Sequence, residues 1–200
     1  MMRRTLAVLG CGAVLCGLSV AQAAPRTHDG FYMQFNVGLG YYNTSAGEAG
    51  TDVSFSGLTI PSSFLMGGTL FNHLVIGGGF FCDTGPSPSY EVNGQSVELD
   101  NVTQYIIGLG GFVDYYVWSD RGLHFPLFLG WGGLETSADG NAGGSDPTGF
   151  ITYFGGGYEF WMSDEWSIGA LFRLVIAPSK LNDVSYTTIE PGFLLTLTYH

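Results

Sequence analysis

Hydrophobic and polar residues alternate along most of the chain after residue 30. From Phe31 to Tyr41 every odd-numbered residue is apolar, whereas the even positions carry Tyr32, Gln34, Asn36 and glycine. A period of two over such a length predicts a β-strand with one face in an apolar medium. The same period returns, in stronger or weaker form, at 64–70, 74–82, 103–117, 125–131, 150–160, 166–176 and 189–199. The pattern therefore predicts eight strands.

The connections between these strands alternate in length. Short links fall at 71–73, 119–122 and 163–165, and longer polar links fall at roughly 44–54, 83–101, 135–149 and 180–185. Three tight turns at one end and four longer loops at the other are typical of bacterial outer-membrane barrels, whose turns face the periplasm. Pairing of the first strand with the last leaves the sheet no free edge. The expected fold is all-β, an eight-stranded antiparallel up-and-down transmembrane β-barrel.

The composition agrees with a chain that faces lipid. Of the 200 residues, 46% are hydrophobic and only 12% are charged, against about 25% charged in an average soluble chain. A soluble barrel of the lipocalin or avidin type would need a charged exterior, yet the polar face here is mostly glycine and threonine. The net charge of −11 also argues against a nucleic-acid partner, because phosphate binding needs clustered Lys and Arg.

The N-terminus predicts export. Arg3 and Arg4 precede an apolar run, and Ala21-Gln22-Ala23 follows it, which is the pattern of a secretory signal peptide over residues 1–23. A lipoprotein signal ending at Cys11 is a weaker alternative. Residues 24–200 then form the barrel domain, with a net charge of −13 and Cys82 as their only cysteine, so no intramolecular disulfide is expected. The expected location is the outer membrane of a Gram-negative bacterium.

Residues 30–200 resemble the small outer-membrane β-barrels of the OmpA transmembrane-domain and OmpX type. The resemblance rests on the alternation, the turn lengths and the last strand, and residues 158–166 (YEFWMSDEW) resemble a hairpin of uncharacterised bacterial barrels. Barrels of this class end in an aromatic residue that the barrel assembly machinery reads; here Tyr199 keeps the register and His200 follows. The resemblance implies that machinery, outer-membrane lipid and lipopolysaccharide as partners of a monomeric barrel.

Aromatic side chains flank the short turns. Rings of this kind sit at the level of the lipid headgroups in membrane barrels. The sequence therefore predicts a periplasmic aromatic girdle formed by Phe31, Tyr115, Trp118, Phe160, Trp166 and Tyr199.

Four charged residues fall within the predicted strands, and all four lie on the inward face: Asp114, Glu159, Arg173 and Glu190. We expect a single interior polar cluster around Arg173. Buried charges must be paired to be tolerated, so a paired core that locks the barrel is the favoured interpretation. The alternative is an ion or proton path, which intramembrane ionisable residues often mark.

Candidate catalytic chemistry is sparse. His28, His73, His124 and His200 are all expected near the periplasmic end, where His124 could meet Asp114 or Tyr116. A lipid A-modifying enzyme would need His, Ser and an acid together at the outer rim, and the sequence predicts no such cluster. We predict no catalytic residue, cofactor or metal ion.

The expected role is structural, adhesive or protective, exerted through the loops. Acidic loop residues (Asp83, Glu91, Glu98, Asp100, Glu135, Asp139 and Asp146) could also bind lipopolysaccharide phosphates through divalent ions. The main alternative is binding or transport of a small apolar ligand in the lumen, because the inward-facing glycines could leave a cavity rather than room for aromatic rings. A lipid A-modifying enzyme is the third hypothesis.

Overall fold

The computed structural model describes residues 26–48, 51–71, 73–92, 95–138, 141–142 and 146–200. The predicted signal peptide, 1–23, lies outside these ranges. Within them the strands are β1 (Phe31–Glu48), β2 (Thr51–Phe71), β3 (Leu74–Pro86), β4 (Ser89–Val92), β5 (Gln95–Glu98), β6 (Val102–Tyr116), β7 (Gly122–Ala138), β8 (Asn141–Ala142), β9 (Thr148–Trp161), β10 (Trp166–Leu181) and β11 (Val184–Tyr199). The described ranges contain no helix that could cross a membrane.

Eight long strands form a closed antiparallel barrel, as the alternation predicts. The order is β1, β2, β3, β6, β7, β9, β10 and β11, and β1 pairs with both β2 and β11. Each of the eight predicted segments lies within one of these strands, apart from one residue at the end of the fourth. The short β4 and β5 form a hairpin that pairs with β2, and β8 pairs with β7.

The strand register fixes the width of the barrel. Residues directly opposite one another on neighbouring strands, followed once around the barrel from Val37 on β1, lead back to β1 at Gly47. With a rise of about 3.3 Å per residue and strands about 4.8 Å apart, this offset tilts the strands by roughly 40° and gives a backbone radius of roughly 8 Å. A barrel of this width encloses just enough space for side chains.

The two faces of the wall differ as the alternation requires. Large apolar side chains such as Leu39 and Leu109 point outward and are 71% and 69% exposed. The lumen is filled by one packed cluster that includes Leu65, Phe81, Ile106, Phe112, Phe128, Ile151 and Tyr153. An apolar exterior around a filled interior is typical of membrane β-barrels.

Inward-facing glycines make room for aromatic rings. A Cβ on Gly108 would lie 2.5 Å from the Phe81 ring, and a Cβ on Gly77 would lie 2.7 Å from the Phe112 ring. These distances are shorter than any non-bonded carbon contact allows. At these positions glycine therefore makes room for aromatic rings and does not leave a cavity.

The strands are longer than the sequence predicts, so most of the expected loops are wrong in extent. β1 continues to Glu48 and β2 begins at Thr51, where a loop over 44–54 was expected. The predicted second loop contains the last residues of β3 and the whole β4–β5 hairpin. Only Asn182 and Asp183 separate β10 from β11, and Asn182 adopts a left-handed conformation (φ 53°). These strand ends are polar, and without an apolar face they show no period of two.

Candidate functional site: two polar clusters and a strap

Two groups of buried polar side chains lie in the lumen at different heights. We call the end with the 117–121 and 162–165 links the turn end, and the opposite end the loop end. The loop-end cluster comprises Arg173, Asp83, Glu190 and Thr59. The turn-end cluster comprises Glu159, Asp114, His124, His200 and the side chains that bind Glu159. Arg173 pairs with Gly155 of β9, and Glu159 lies four residues further along that strand, about 13 Å away.

In the loop-end cluster an arginine binds two carboxylates. Arg173 Nη2 donates to Asp83 Oδ2 at 2.6 Å and lies 4.0 Å from Glu190 Oε1. Thr59 Oγ1 donates to Glu190 Oε1 at 2.6 Å, and the Ser62 amide donates to Asp83 Oδ1 at 3.3 Å. The cluster therefore joins β2, β3, β10 and β11 across the lumen.

The surroundings of Arg173 are aromatic rather than polar. Its guanidinium carbon lies 5.2 Å from the centre of the Phe81 ring and 5.4 Å from that of Tyr153. Arg173 Nε and Nη1 and Glu190 Oε2 have no hydrogen-bond partner. The arginine is 1% exposed, so its charge is compensated chiefly by one short ion pair and two ring faces.

In the turn-end cluster one carboxylate collects many donors. Ser167 Oγ and Thr198 Oγ1 each donate to Glu159 at 2.6 Å, and Gln34 Nε2 donates at 3.1 Å. Longer contacts come from His200 Nε2 at 3.3 Å and from the hydroxyls of Tyr116 and Thr196 at 3.4 Å. The carboxylate charge is therefore spread over hydrogen bonds from several strands, as buried carboxylates require.

A second carboxylate in this cluster binds a histidine. His124 Nδ1 lies 2.8 Å from Asp114 Oδ2, and the Tyr32 hydroxyl donates to the same oxygen at 3.1 Å. His124 Nε2 faces Glu159 Oε1 at 3.8 Å, and the Tyr116 ring stacks on His124. The contact of His124 with Asp114 that the sequence suggested is therefore confirmed.

A short polar chain rises from Glu159 and stops below the loop-end cluster. Asn36 Nδ2 donates to Gln34 Oε1 at 3.0 Å and to Ser63 Oγ at 2.9 Å. Asn36 Oδ1 has no partner. The buried apolar side chains Leu65, Leu171 and Leu194 occupy the levels between the two clusters.

The single cluster expected around Arg173 is thus divided. The structure keeps Arg173 beside Glu190 but places Asp114 and Glu159 with the histidines. The main partner of Arg173 is Asp83. The prediction of Asp83 in a loop is wrong, since Asp83 is buried within β3. Asp83 continues the inward parity of Phe81, so extending the alternation by one position would have found it.

The turn end is closed by residues 26–30, which we call the strap. His28, at its centre, is 1% exposed, and its ring stacks on Tyr116 with centroids 3.7 Å apart. His28 Nδ1 lies 3.2 Å from His200 Nδ1, and its ring also lies against Trp161. Burial and then the neighbouring His200 lower the pKa of His28 to about 3. No sequence pattern indicates the strap, because five residues are too few to show a period.

The expected girdle residues lie around the same end. The group is Phe31, Tyr115, Trp118, Phe160, Trp166 and Tyr199. The first four are 43–66% exposed, and the rings of Trp166 and Tyr199 lie 5.3 Å apart. Their role as a headgroup belt stays a prediction. Cys82 is free and partly exposed on β3.

The arrangement of Ser167, His200 and Glu159 does not suit nucleophilic catalysis. His200 Nε2 lies 3.1 Å from Ser167 Oγ, but the hydroxyl proton of Ser167 is directed to Glu159 at 2.6 Å. All three side chains are at most 3% exposed, and a nucleophile must be reachable by its substrate. The geometry instead holds strand ends together.

Comparison with known proteins identifies the class of fold. The barrel is similar to the outer membrane protein OprG from Pseudomonas aeruginosa (11% identity, covering 88% of this chain and 99% of that chain, TM-score 0.52). It is also similar to Neisserial surface protein A (14% identity, covering 84% and 96%, TM-score 0.52). No protein-family profile and no curated protein matches the chain. The expected resemblance to small outer-membrane barrels is thus confirmed for the fold.

Proposed function

We propose that this protein is a closed outer-membrane barrel whose lumen is structural and whose function is exerted at the loop end. The observation that carries the proposal is the filled lumen. Arg173, Asp83, Glu159 and Asp114 are all at most 2% exposed and paired, and aromatic rings fill the space between strands. Paired buried charges stabilise a narrow barrel rather than line an aqueous path.

The apolar exterior supports location in a membrane, and a pair of substitutions tests it. Leu109, on the wall of β6, and Val97, in the β4–β5 hairpin, are both strongly exposed (69% and 60%). An arginine on the lipid face costs about 2–4 kcal/mol at mid-membrane and close to zero beyond the interfaces. We expect Leu109→Arg to lower the free energy of unfolding in lipid vesicles by that amount and Val97→Arg to leave it unchanged. Equal effects would contradict the membrane span.

The closed lumen is tested by electrical recording. In a planar bilayer, the purified wild-type barrel should give no discrete conductance steps. The Arg173→Leu variant should give none either. An Arg173→Leu barrel that kept its thermal stability and conducted ions would overturn the paired-core interpretation and favour the ion path. The same recording bears on transport of small ligands through the lumen, which the aromatic filling does not favour.

The loop end supports a role at the cell surface. The β1–β2 hairpin and the β4–β5 hairpin extend this end, where Glu91, Glu98 and Asp100 are exposed. We infer a structural, adhesive or protective role, with the loop end outside the cell and the turns in the periplasm. The name of the similar Neisserial surface protein A is consistent with such a position. Replacement of residues 89–98 by a two-residue turn should preserve the heat-modifiable gel migration of the barrel. It should abolish the adhesive or protective activity of the protein at the cell surface. Binding to lipopolysaccharide vesicles that did not respond to chelator would exclude divalent bridging.

The buried histidines support a role without catalysis. His124 and His200 lie in the lumen, and the strap covers the turn end. We propose no enzymatic activity, and a lipid A-modifying reaction is therefore the least supported of the three hypotheses. Unchanged lipid A after incubation with the purified barrel is the expected result.

A further inference from the structure

The turn end carries an arginine without an acidic partner. The arginine and lysine side chains of the described residues are Arg26, Arg121, Arg173 and Lys180. Arg173 is buried beside Asp83, Arg26 lies 3.8 Å from Asp164, and Lys180 lies at the loop end, near the end of β10. Arg121, in the 117–121 link, is exposed and forms no ion pair with any described carboxylate. Its charge is therefore available to a ligand.

An aromatic ring holds the side chain of Arg121. Its guanidinium carbon lies 5.5 Å from the centre of the Trp118 ring. A cation above the face of an aromatic ring is attracted to it, so the ring restrains a long side chain that would otherwise move freely. Trp118 is 43% exposed and belongs to the predicted aromatic girdle. We therefore expect the Arg121–Trp118 pair at the level of the lipid headgroups.

The link that carries this pair is held by its neighbours through three successive carbonyls. The His28 amide donates to Ser119 O at 3.1 Å, and His28 Nε2 donates to Arg121 O at 3.1 Å. Trp161 Nε1 donates to Asp120 O at 3.1 Å. The link is thus fixed by the strap and by the end of β9. Its backbone is ordered before any ligand binds, which lowers the entropy cost of binding.

The amides of the same link are available as donors. The N–H groups of Ser119, Asp120 and Arg121 have no acceptor in the part of the chain that the structure describes. The guanidinium of Arg121 adds its own fork of N–H donors. Asp120, the acid of this link, is exposed and does not pair with Arg121. Several donors around one positive charge suit an anion that carries several oxygens, such as a phosphate.

Apolar side chains lie directly below these donors. The link joins β6 to β7, and Tyr115 and Phe125 lie opposite each other on these strands. They are 48% and 50% exposed. Val113 and Leu127, two residues further from the link, continue the outward-facing wall. A ligand that fits both parts has a phosphate at one end and an apolar body at the other, which favours a phospholipid over free phosphate.

We propose that Arg121, Trp118 and the amides of the 117–121 link bind the headgroup of an anionic phospholipid such as phosphatidylglycerol. The guanidinium and the amides donate to the phosphate oxygens, the Trp118 ring orients the guanidinium, and the acyl chains lie along Tyr115 and Phe125. The proposal rests on the membrane location proposed above but not on the role of the loop end.

A lipid titration followed by native mass spectrometry tests the site. Phosphatidylglycerol, or phosphatidylcholine, whose headgroup has no net charge, is added to the whole barrel in an uncharged detergent. The fraction of barrel that carries one lipid gives the dissociation constant. We expect the wild type to bind phosphatidylglycerol roughly 10-fold more tightly than phosphatidylcholine, because hydrogen bonds to a charged group contribute about this much. Arg121→Gln should lose this preference.

Three further variants separate this site from a general effect of charge. Lys180→Gln makes the same change of net charge at the loop end and should alter the affinity for phosphatidylglycerol by less than about twofold. Arg121→Lys keeps the charge but loses the planar fork, so it should bind roughly threefold more weakly than the wild type. Trp118→Leu removes the ring beside the guanidinium and should weaken binding by roughly threefold to fivefold.

The outcomes of the titration are distinct. Equal binding of the two lipids by the wild type, or equal losses in Arg121→Gln and Lys180→Gln, would overturn the proposal. An excess of inorganic phosphate should not displace the lipid, since it lacks the acyl chains; displacement would overturn the assignment to a phospholipid. Unchanged heat-modifiable gel migration shows that each variant is folded. Because the titration is made in detergent, its failure would leave the membrane span to be judged by Leu109→Arg alone.

Discussion

The two clusters in the lumen bury charge in different ways. At the loop end, Arg173 and two carboxylates compensate one another through one short ion pair, and three of their polar atoms have no partner. At the turn end, Glu159 has six neighbouring donor side chains, three of them within 3.1 Å. The ion pair at the loop end compensates the charge of Arg173 with few residues. The hydrogen bonds to Glu159 at the turn end compensate its charge and also connect the strands that supply the donors. The turn-end cluster should therefore matter more to stability.

The largest effect is expected for Glu159→Leu. The substitution leaves Ser167, Thr198 and Gln34 without their acceptor and removes the carboxylate beside two histidines. Breaking a buried charged network in this way costs about 3–5 kcal/mol. A denaturant titration in lipid vesicles would show the loss.

Glu98→Leu is the matched control for this substitution. Glu98 is exposed in β5 and pairs through its backbone only, so we expect a change within about 0.5 kcal/mol. A Glu159→Leu barrel as stable as this control would show that the turn-end hydrogen bonds contribute nothing.

Arg173→Met should cost somewhat less, about 3 kcal/mol, the lower end of the range for removal of one partner of a buried pair, because two unpaired guanidinium nitrogens disappear together with the partner of Asp83 and Glu190. The triple variant Asp83→Asn, Arg173→Met, Glu190→Gln should come within about 1 kcal/mol of the wild type, since neutral groups of similar volume replace buried ion pairs with little loss. The same titration compares the single and triple variants. If the triple variant were less stable than Arg173→Met alone, the contribution of this cluster to stability would not come from mutual compensation of its charges.

The sequence predicted the barrel because each strand borders an apolar medium. Alternation is strongest where one face of a strand carries exposed apolar side chains, which is why all eight segments were found. The signal fades where strands leave the apolar belt, and Asp83 was missed because it lies just past the last residue of a recognised segment. The turn of the last hairpin was placed well enough to bring Arg173 near Glu190.

The division into two clusters could not be predicted from parity. The odd or even position of a residue in a strand shows whether its side chain faces the lumen, but not its level along the barrel axis. That level depends on the shear of the whole barrel, which sums the registers of all eight strand pairs. His200 shows a related limit. It stood out as a departure from the terminal pattern, and its contact with the strap involves residues 172 positions apart, which no local pattern encodes.

Removal of one hydroxyl from each cluster should have unequal effects. Thr59 gives Glu190 its one short hydrogen bond, so Thr59→Val should cost about 1.5–2.5 kcal/mol. Thr198→Val removes one donor of several from Glu159 and should cost about 1 kcal/mol or less. The free energies of unfolding of both isosteric variants check the difference. Equal losses would mean that Glu159 does not share its charge among its donors.

The smallest effect expected is the coupling between the clusters. Glu159→Gln and Arg173→Met lie about 13 Å apart along the wall, and the polar chain from Gln34 ends at Asn36 and Ser63. Substitutions this far apart without a shared partner are additive within about 0.5 kcal/mol.

Within the loop-end cluster, Arg173→Met and Asp83→Asn share an ion pair and should couple by about 1–3 kcal/mol. Double-mutant cycles for both pairs give the contrast; a coupling above about 1 kcal/mol between Glu159 and Arg173 would restore the single cluster that the sequence suggested.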